Sequence, residues 1–578
     1  MAHLYKKVKK GREYYYIRET QRVYGKPATI NQVYLGTAEK VQAVFSGEDR
    51  KLSEGFSPKE FGSVFVLHEM ERSINLAAMV DDILPPKRRS RGASLGELLF
   101  YAIMNRAIAP KSKRQLASWY ETTDIQRIHP CRLESLSSQN FWNHWHRLDE
   151  ASLEKIADAF FQKVHLLLPP QEKQLLLETA IFYASPGPSE GNGNGGDNRN
   201  DGVGDAAERP WRRLGLALIT DRQSGVPLYY QAFSGDLAES EFFTGHLDNL
   251  MNKVSSLGVP LQNLTLIFNQ GITPEVMEEI DGRKELQFIS VHPPTFLPEL
   301  QEVPRQDFRP LDCKANRRFL ETGATDEQIL YYETTLSLWN GTRKVIVLYD
   351  PQVFPRQYQE LHEKLQKVRR ELVDLEKRYQ RRQAPWDSPA SILARYRQVC
   401  EELQLGPHLF ELEFTEENGA PSLSFRLRHR QVEAAMRQFG KTILVTDRED
   451  GPGAEICQAY LDRGTVEAHV QDRKTPATVS LMPQYHWTDS KIRIHVFVCV
   501  AALTYLALLG QKLADAGLLT TSKEAMEEMR ALTSAIHWLP REEKFRRIIA
   551  NANDSQLAIL EAVGYHLENG RVQPIRRN

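Results

Sequence analysis

The stretch LLLETAIF, residues 175–182, opens the part of the chain that decides the fold. It is the first of five short apolar runs, and the others are LGLALIT (214–220), PLYYQAF (227–233), LTLIF (264–268) and FISV (288–291). Apolar runs of this length, bounded by turn residues, predict buried strands. Helical stretches precede the fourth and fifth runs, so the predicted order is β-β-β-α-β-α-β. This order predicts an α/β protein with a mixed sheet whose first three strands form a meander.

The predicted core occupies residues 171–293 and, after an insertion at 294–440, residues 441–510. Between the first two runs, residues 186–208 are rich in Gly, Asn and Asp. Such a segment cannot bury enough apolar surface to order itself, so we predict a flexible surface loop.

The insertion is marked by apolar residues at alternating spacings of three and four. This spacing predicts the a/d seam of a long coiled-coil helix over residues 358–379. The seam could pack on a second helix of the same chain, such as Ser391–Leu403, or on another subunit, and packing within the chain is favoured. The seam residues are Tyr358, Leu361, Leu365, Val368, Leu372, Leu375 and Tyr379.

The regions that flank the core differ in character. Residues 1–60 read as strands and carry 12 Lys and Arg against 7 Asp and Glu, residues 61–170 have helical spacing, and residues 511–578 look helical without a motif. The helical region 61–170 contains two basic clusters near aromatic residues, which predicts contacts with a DNA backbone; the alternative is solvated helix faces over an aromatic core. The clusters are Lys87, Arg88, Arg89 and Arg91, and Arg106, Lys111, Lys113 and Arg114.

Composition excludes several classes of protein. The 578 residues include 74 Lys and Arg against 75 Asp and Glu, a balance that leaves nucleic-acid binding open because the placement of charge decides it. Five cysteines without a C-x-x-C pair argue against disulfide frameworks and structural zinc. The longest apolar run, residues 496–509, is 14 residues, too short to span a bilayer, so we predict a buried helix and no membrane partner. With no secretory signal visible, we expect a cytoplasmic protein.

A sheet of the predicted order, followed by a helix, can bring three oxygen ligands together. Two-metal phosphoryl transfer needs such ligands, because Mg²⁺ takes hard oxygen donors. The positions at the first strand, the fourth strand and the following helix are Glu178, Asn269 and Glu467.

Around the third position the sequence resembles a known family. Tyr460, Arg463, Glu467 and Lys474 fit Y-x2-R-x3-E-x6-K in residue type and spacing, the signature of DDE transposases of the bacterial insertion sequence four superfamily, long type. Three further segments look like the same superfamily. They are AIMNRAIAPKSKRQLASWYE (102–121), SGVPLYYQAFSGD (224–236) and MPQYHWTDSKIRIHVFVC (482–499).

The resemblance implies a ribonuclease H-like core that cuts transposon ends with two Mg²⁺ ions. It also implies double-stranded DNA with terminal inverted repeats as the partner, a homodimer that joins two ends, and a place at the bacterial nucleoid. The family has Asp at the first two acidic positions, in D-T-T and F-D-K-G, whereas this chain has Glu178 in ETA and Asn269 in FNQG.

These departures predict weak catalysis. Asn269 offers a carbonyl oxygen without charge, and Glu178 is one methylene longer than Asp, so the metal ligands reduce to Glu178 and Glu467. A relocated acid could in principle come from Asp221, Asp236, Glu239 or Asp447, but each is more simply a turn carboxylate.

The other signature residues are expected near DNA, and each has a structural alternative. Tyr460 and Arg463 lie on the helix face that carries Glu467, where packing or an ion pair is the alternative. Lys474 could contact phosphate or complement the helix dipole. His486 and Trp487 could stack on a flipped base or fill a core.

Three functions follow. The first is a transposase-derived DNA-binding protein with impaired catalysis. The second is an active DDE transposase that cleaves and joins DNA with Mg²⁺. The third is an interaction protein that acts through the coiled coil and shows no salt-dependent DNA affinity.

Overall fold

The structure, a computed structural model, describes residues 2–23, 25–39, 41, 58–86, 92–170, 173–184, 212–234, 239–262, 264–268, 274–283, 286–417, 420–471, 489–539 and 544–575. Residues 463–471 are described by their backbone alone. The chain divides into two compact units. The first unit is Met1–Leu264 with Asp462–Asn578, and the second is Thr265–Leu461.

The strands, numbered along the chain, are β1 (Ala2–Lys9), β2 (Arg12–Val23), β3 (Lys26–Gly36), β4 (Lys59–Glu60), β5 (Gln174–Ala184), β6 (Arg212–Asp221), β7 (Pro227–Ser234), β8 (Leu264–Phe268), β9 (Leu286–His292), β10 (Arg309–Pro310), β11 (Leu330–Leu338), β12 (Gly341–Tyr349), β13 (Phe410–Glu417), β14 (Ala420–Leu427), β15 (Lys441–Thr446), β16 (Thr533–Leu539), β17 (Lys544–Ile549), β18 (Tyr565–Glu568) and β19 (Arg571–Pro574).

The helices are α1 (Gly62–Ile74), α2 (Leu76–Ile83), α3 (Leu95–Ile108), α4 (Leu116–Thr122), α5 (Ile125–Ile128), α6 (Ser138–Trp145), α7 (Glu150–Leu167), α8 (Glu239–Ser256), α9 (Pro274–Asp281), α10 (Lys314–Thr322), α11 (Val353–Gln380), α12 (Pro389–Glu402), α13 (His429–Met436), α14 (Gly453–Gln471), α15 (Asp489–Asp515), α16 (Ser522–Arg530) and α17 (Asp554–Ala562).

The N-terminal strands predicted from the sequence form a sheet in the order β1-β2-β3, with both pairs antiparallel. Lys10 and Gly11 join β1 to β2 with φ values of 50° and 75°, the left-handed conformation that a two-residue hairpin requires at both positions. One face of this sheet packs Ile17 and Leu35 onto Ile536 of β16.

The helical region after β4 packs around the apolar helix α15, which contacts α1, α3 and α7. Within the described residues, one helix, Ser490–Asp515, is long and apolar enough to cross a membrane by length and composition, but 89% of its apolar window is buried inside the protein. The predicted burial is therefore confirmed. The expectation that this segment is too short to span a bilayer is wrong. The helix is longer than the apolar run, because it continues through polar residues on both sides of that run.

Strands β5, β6 and β7 form the predicted antiparallel meander, and Leu218 at the centre of β6 pairs with Glu178 on one side and Tyr230 on the other. The predicted loop 186–208 lies outside the described residues.

The second unit contains a mixed sheet in the order β10-β11-β12-β15-β9-β8. Neighbours from β10 to β9 are antiparallel. Strands β8 and β9 are joined through helix α9, the type of crossover that parallel neighbours need. The insertion therefore supplies strands to the sheet as well as helices.

The heptad helix α11 packs within the chain. Its seam residues from Leu361 to Tyr379 are buried in one cluster with Ile392, Tyr396 and Val399 of α12 and with residues of the β13–β14 hairpin. Tyr358, at the beginning of the seam, is 48% exposed. The seam therefore meets a helix on one side and a hairpin on the other, and packing inside the chain was the favoured alternative.

The C-terminal region departs from its predicted helical character. Helices α16 and α17 are present, but β16 pairs with β17 and with β4, and β18 pairs with β19. The sequence TSAIHWL of β16 alternates in polarity as a strand does, and its pairing with β4 was invisible because the partner lies more than 450 residues earlier in the chain.

The chain order β5-β6-β7-α8-β8-α9-β9, followed after an insertion by β15 and α14, is that of a ribonuclease H-like α/β fold. The predicted fold class is confirmed.

Candidate catalytic and nucleic-acid sites

The first acidic position lies on the central part of β5. Glu178 is 3% exposed and follows the buried residues Leu176 and Leu177. A carboxylate this deeply buried is stable only where it is hydrogen-bonded or paired. The position predicted on the first strand is therefore a buried acid in the structure.

Helix α14, here called the signature helix, contains the third acidic position. Tyr460, Arg463 and Glu467 lie three and four residues apart, a spacing that places them on one face of a helix. Tyr460 is half-buried, and only the backbone of Arg463 and Glu467 is described. Asn269, Lys474, His486 and Trp487 lie outside the described residues, so their predicted roles stay predictions.

Arg222, which the sequence analysis missed, holds the signature helix to the β5–β6 pair. Its Nε and Nη2 atoms each lie 2.9 Å from Asp462 Oδ2. Its Nη1 donates to Gln174 Oε1 at 2.6 Å, and its backbone N–H donates to the Gln174 carbonyl at 3.2 Å. Arg222 thus positions the helix of Glu467 against the strand of Glu178. No sequence signal marks an arginine of this kind in a hairpin turn.

The N-terminus of the signature helix is held by Glu333 of β11. Glu333 Oε2 accepts a hydrogen bond from the Gly453 N–H at 3.2 Å, and Lys344 lies 3.7 Å from Glu333 Oε1. A Cβ atom at Gly453 would lie 2.5 Å from Glu333 Oε2. The close approach explains the glycine, and a carboxylate at a helix N-terminus is electrostatically favourable.

Two of the acids considered as relocated ligands accept hydrogen bonds from backbone N–H groups. Asp221 Oδ2 accepts from the Ser224 N–H at 2.8 Å and from its hydroxyl at 2.7 Å. Asp447 Oδ1 accepts from the Phe288 N–H at 2.8 Å, and burial raises the pKa of Asp447. The interpretation as a turn carboxylate is confirmed for Asp221, whose partner Ser224 follows it in the same turn. It is wrong for Asp447, which binds the backbone of β9, a strand distant in the chain. Asp236 and the side chain of Glu239 lie outside the described part of the chain.

The donor set fits two Mg²⁺ ions poorly. The three residues predicted from the sequence, Glu178, Asn269 and Glu467, offer hard oxygen donors but only two formal negative charges, whereas two divalent ions need more compensation.

The basic cluster before α4 divides into buried and exposed cations. Lys111 and Arg114 are exposed, as a DNA contact requires, whereas Arg106 is buried. The Lys113 ammonium lies 5.2 Å from the centre of the Trp145 ring and 5.6 Å from that of Phe141. Burial, and then the charge of Arg106, lower the pKa of Lys113 to about 8. Lys113 is half-buried, and its ammonium lies beside aromatic rings, so it is less open to a phosphate than Lys111 and Arg114. Its predicted contact with DNA stays a prediction. Arg88 and Arg89 lie outside the described residues.

Replacing Lys113 by methionine is expected to raise the free energy of unfolding by about 2 kcal/mol at pH 7, since desolvation makes the charged form of this half-buried ammonium unfavourable. The folded pKa lies below the unfolded value, so the cost of the charge is fully present below pH 8 and disappears as pH rises towards about 10.4. Urea unfolding at pH 7 and pH 10 measures this gain. A Lys113→Met protein no more stable than wild type at pH 7, or one whose advantage grows with pH, would contradict the assignment.

The chain has similarity to known proteins at the level of solved structures. No protein-family model and no curated protein matches the chain. Among solved structures, the chain is similar to a piggyBac transposase synaptic complex with hairpin DNA, studied by cryo-electron microscopy. The similarity covers 82% of this chain and 81% of that one, at 8% sequence identity and a TM-score of 0.32. A likeness of this degree supports no conclusion about activity.

Proposed function

We propose that this protein is a DNA-binding protein derived from a DDE transposase, with impaired DNA cleavage. The observation that carries the proposal is the neutral amide of Asn269 at the second of three acidic positions in a ribonuclease H-like chain. The other two positions keep a carboxylate, and Glu178 is buried on the strand where the first acid belongs. The fold that would hold the three positions is present, but the negative charge that metal-dependent cleavage needs is reduced.

The reduced charge bears directly on catalysis. Bound Mg²⁺ ions in such a site would activate the attacking oxygen and stabilise the leaving one. The chain's own residues must supply the negative charge that holds them, and Asn269 supplies none. Glu178 adds a second defect, because its carboxylate is displaced by one methylene and in-line attack tolerates misplacement of about 1 Å poorly.

Retention of the helix that carries the signature supports a continuing role in DNA binding. Arg222 and Glu333 hold this helix at two points, through Asp462 and Gly453. A helix without a function would tolerate the loss of these contacts, and the apolar core is likewise intact in the described part of the chain. We propose that the partner is double-stranded DNA with terminal inverted repeats, bound by a homodimer at the bacterial nucleoid.

The exposed cations of the helical region give a matched test of binding. Lys111→Ala and Arg114→Ala are each expected to reduce the slope of log affinity against log salt by about 0.9, the value for one phosphate contact on duplex DNA. Lys113→Met is the control, because it removes an equal charge from the same cluster but from the aromatic core. Titrations at several salt concentrations measure the slopes. If all three variants have the same salt slope as wild type, this region does not contact DNA.

The proposal as a whole is tested by DNA cleavage and strand joining, with Mg²⁺ and then Mn²⁺, on DNA that carries the repeats flanking the native gene. The protein is compared with a variant in which Glu178 and Asn269 are both replaced by Asp. We expect the natural protein to bind this DNA with steep salt dependence and to leave it uncut. Efficient cutting by the natural protein would overturn the claim of impairment, and affinity that is weak and insensitive to salt would overturn DNA binding.

A further inference from the structure

The N-terminal sheet has two chemically different faces. Tyr5 pairs with Tyr16, Lys7 with Tyr14, and Tyr34 with Tyr16, so these residues point to the same side. The opposite side carries Ile17 and Leu35, which pack on Ile536. The outward side, here called the tyrosine face, includes Tyr5, Lys7, Lys9, Arg12, Tyr14, Tyr16, Arg18, Arg22, Gln32 and Tyr34.

Tyrosine rings cross all three strands of this face. The ring centres of Tyr16 and Tyr34 are 5.2 Å apart, those of Tyr5 and Tyr16 are 6.4 Å apart, and those of Tyr14 and Tyr34 are 6.2 Å apart. Tyr34 is 53% exposed. The Arg18 guanidinium lies 3.3 Å from the centre of the Tyr5 ring. The result is a row of neighbouring planar groups on the sheet, with the tyrosine rings tilted by 42° to 50° to one another.

The charges on the tyrosine face have one sign. Its Lys and Arg residues include those at positions 7, 9, 12, 18 and 22. The two acidic residues of these strands, Glu13 and Glu19, both point to the other side, where Glu13 pairs with Lys6 at 2.7 Å and Glu19 pairs with Arg547 at 2.8 Å. Within the described residues of β1–β3, the tyrosine face therefore carries cations and no carboxylate. Such a face is complementary to a phosphate backbone.

We propose that the tyrosine face binds an unpaired DNA strand, with bases stacked on Tyr34 and Tyr16 and the backbone phosphates near Lys7, Lys9 and Arg12. The proposal deepens the proposed function, on which it rests for the identity of the nucleic acid as DNA. It assigns to the N-terminal sheet the recognition of a strand whose bases are no longer paired.

The aromatic layer distinguishes an unpaired strand from a duplex. Ring faces gain most from contact with the faces of bases, which are covered by neighbouring base pairs in a duplex and accessible in a single strand. Readout of a duplex groove would instead need forked polar side chains aimed outward. On the tyrosine face the Arg18 Nε donates to Gln32 Oε1 at 2.7 Å. These two polar side chains therefore bind each other instead of pointing outward towards a groove. Every base has a π face, so the binding is expected to be tolerant of sequence.

The experiment measures the affinity of the full chain for a mixed-sequence single-stranded DNA of about 20 nucleotides and for the same sequence as a duplex. Tyr34→Ala is expected to weaken single-strand binding about tenfold, which is within the range for loss of one stacked base. The control is Tyr358→Ala, because Tyr358 is 48% exposed on the heptad helix, outside the tyrosine face. It is expected to bind as wild type does. Unchanged midpoints of thermal unfolding show that both variants are folded.

A second pair of variants tests the charges on the two sides of one strand. Lys7→Ala is expected to reduce the salt slope for single-strand binding by about 0.7, whereas Lys6→Ala, on the opposite side and paired with Glu13, leaves it unchanged. Equal affinity of wild type and Tyr34→Ala for the single strand, or equal slopes for the two lysine variants, overturns the proposal. Loss on duplex as large as on single strand also overturns it. The single-stranded DNA in this experiment is unrelated in sequence to the terminal repeats. A protein that fails to bind it can still bind the repeats, and a protein that fails to bind the repeats can still bind the single strand, so the two proposals are tested separately.

Discussion

Replacing Arg547 by alanine is expected to lower the free energy of unfolding by about 3–5 kcal/mol, because it breaks a buried ion pair and leaves a carboxylate without its partner. Arg547 donates to Glu19 at 2.8 and 3.2 Å, lies 3.7 Å from Asp124, and donates to the Ser534 carbonyl at 3.2 Å. The side chains of Arg547, Glu19 and Asp124 are between 1% and 7% exposed. One guanidinium thus joins the N-terminal sheet, the helical region and the C-terminal strands inside the first unit.

The pH dependence of this loss has a defined sign. Burial raises the pKa of Glu19, but its hydrogen bonds and ion pair with Arg547 outweigh burial, and the net pKa is lowered. A carboxyl group whose folded pKa is depressed contributes stability above its unfolded pKa and loses it as pH falls through the folded value. The difference between wild type and Arg547→Ala is therefore expected to narrow between about pH 5 and pH 3.

Urea unfolding over this pH range measures both effects, with Arg571→Ala as the matched control. Arg571 is exposed on β19, so its loss is expected to change stability by about 0.5 kcal/mol or less. A cycle with Glu19→Ala and the double variant isolates the pair itself. A loss at Arg547 no larger than at Arg571, or a difference that widens towards acid pH, would show that the ion pair does not hold these segments together.

Restoring aspartate at both altered positions is expected to increase the rate of DNA cleavage on the order of 100-fold or more. The Asn269→Asp change adds a negative charge that helps to hold a metal ion. Glu178→Asp shortens the side chain by one methylene, and a placement error of about 1 Å can by itself cost about 100-fold. The strand that carries position 178 and the signature helix are already connected through Arg222, which is 10% exposed and binds Gln174 and Asp462. The revertant therefore acts on a retained scaffold.

Single variants and one further substitution sharpen the test. Asn269→Asp alone is expected to give part of the gain, and Glu178→Asp alone little, because the missing charge is the larger defect. Adding Glu467→Gln to the double variant is expected to abolish the gain without weakening DNA binding. A double variant that binds the terminal repeats as wild type does but cuts no faster would show that these three positions are not a degenerate catalytic set.

Local patterns in the sequence determined much of the architecture. The apolar runs of β5, β6 and β7, the signature helix and the heptad helix each depend on a periodicity that neighbouring residues set, and each is present in the structure. Residue type alone also decides that Asn269 has no charge.

Long-range placement was decided only by tertiary structure. Lys113 looked like a solvent-exposed cation until the fold placed Trp145 and Phe141 beside its ammonium. Other contacts join residues that are distant in the chain. Arg222 binds Asp462, Arg547 binds Glu19, and strand β16 pairs with β4. Periodicity reports which side of an element is apolar, but it carries no information about which distant element meets that side. The tyrosine face shows the same division: alternation predicts its strands, and only the register places its rings and cations together.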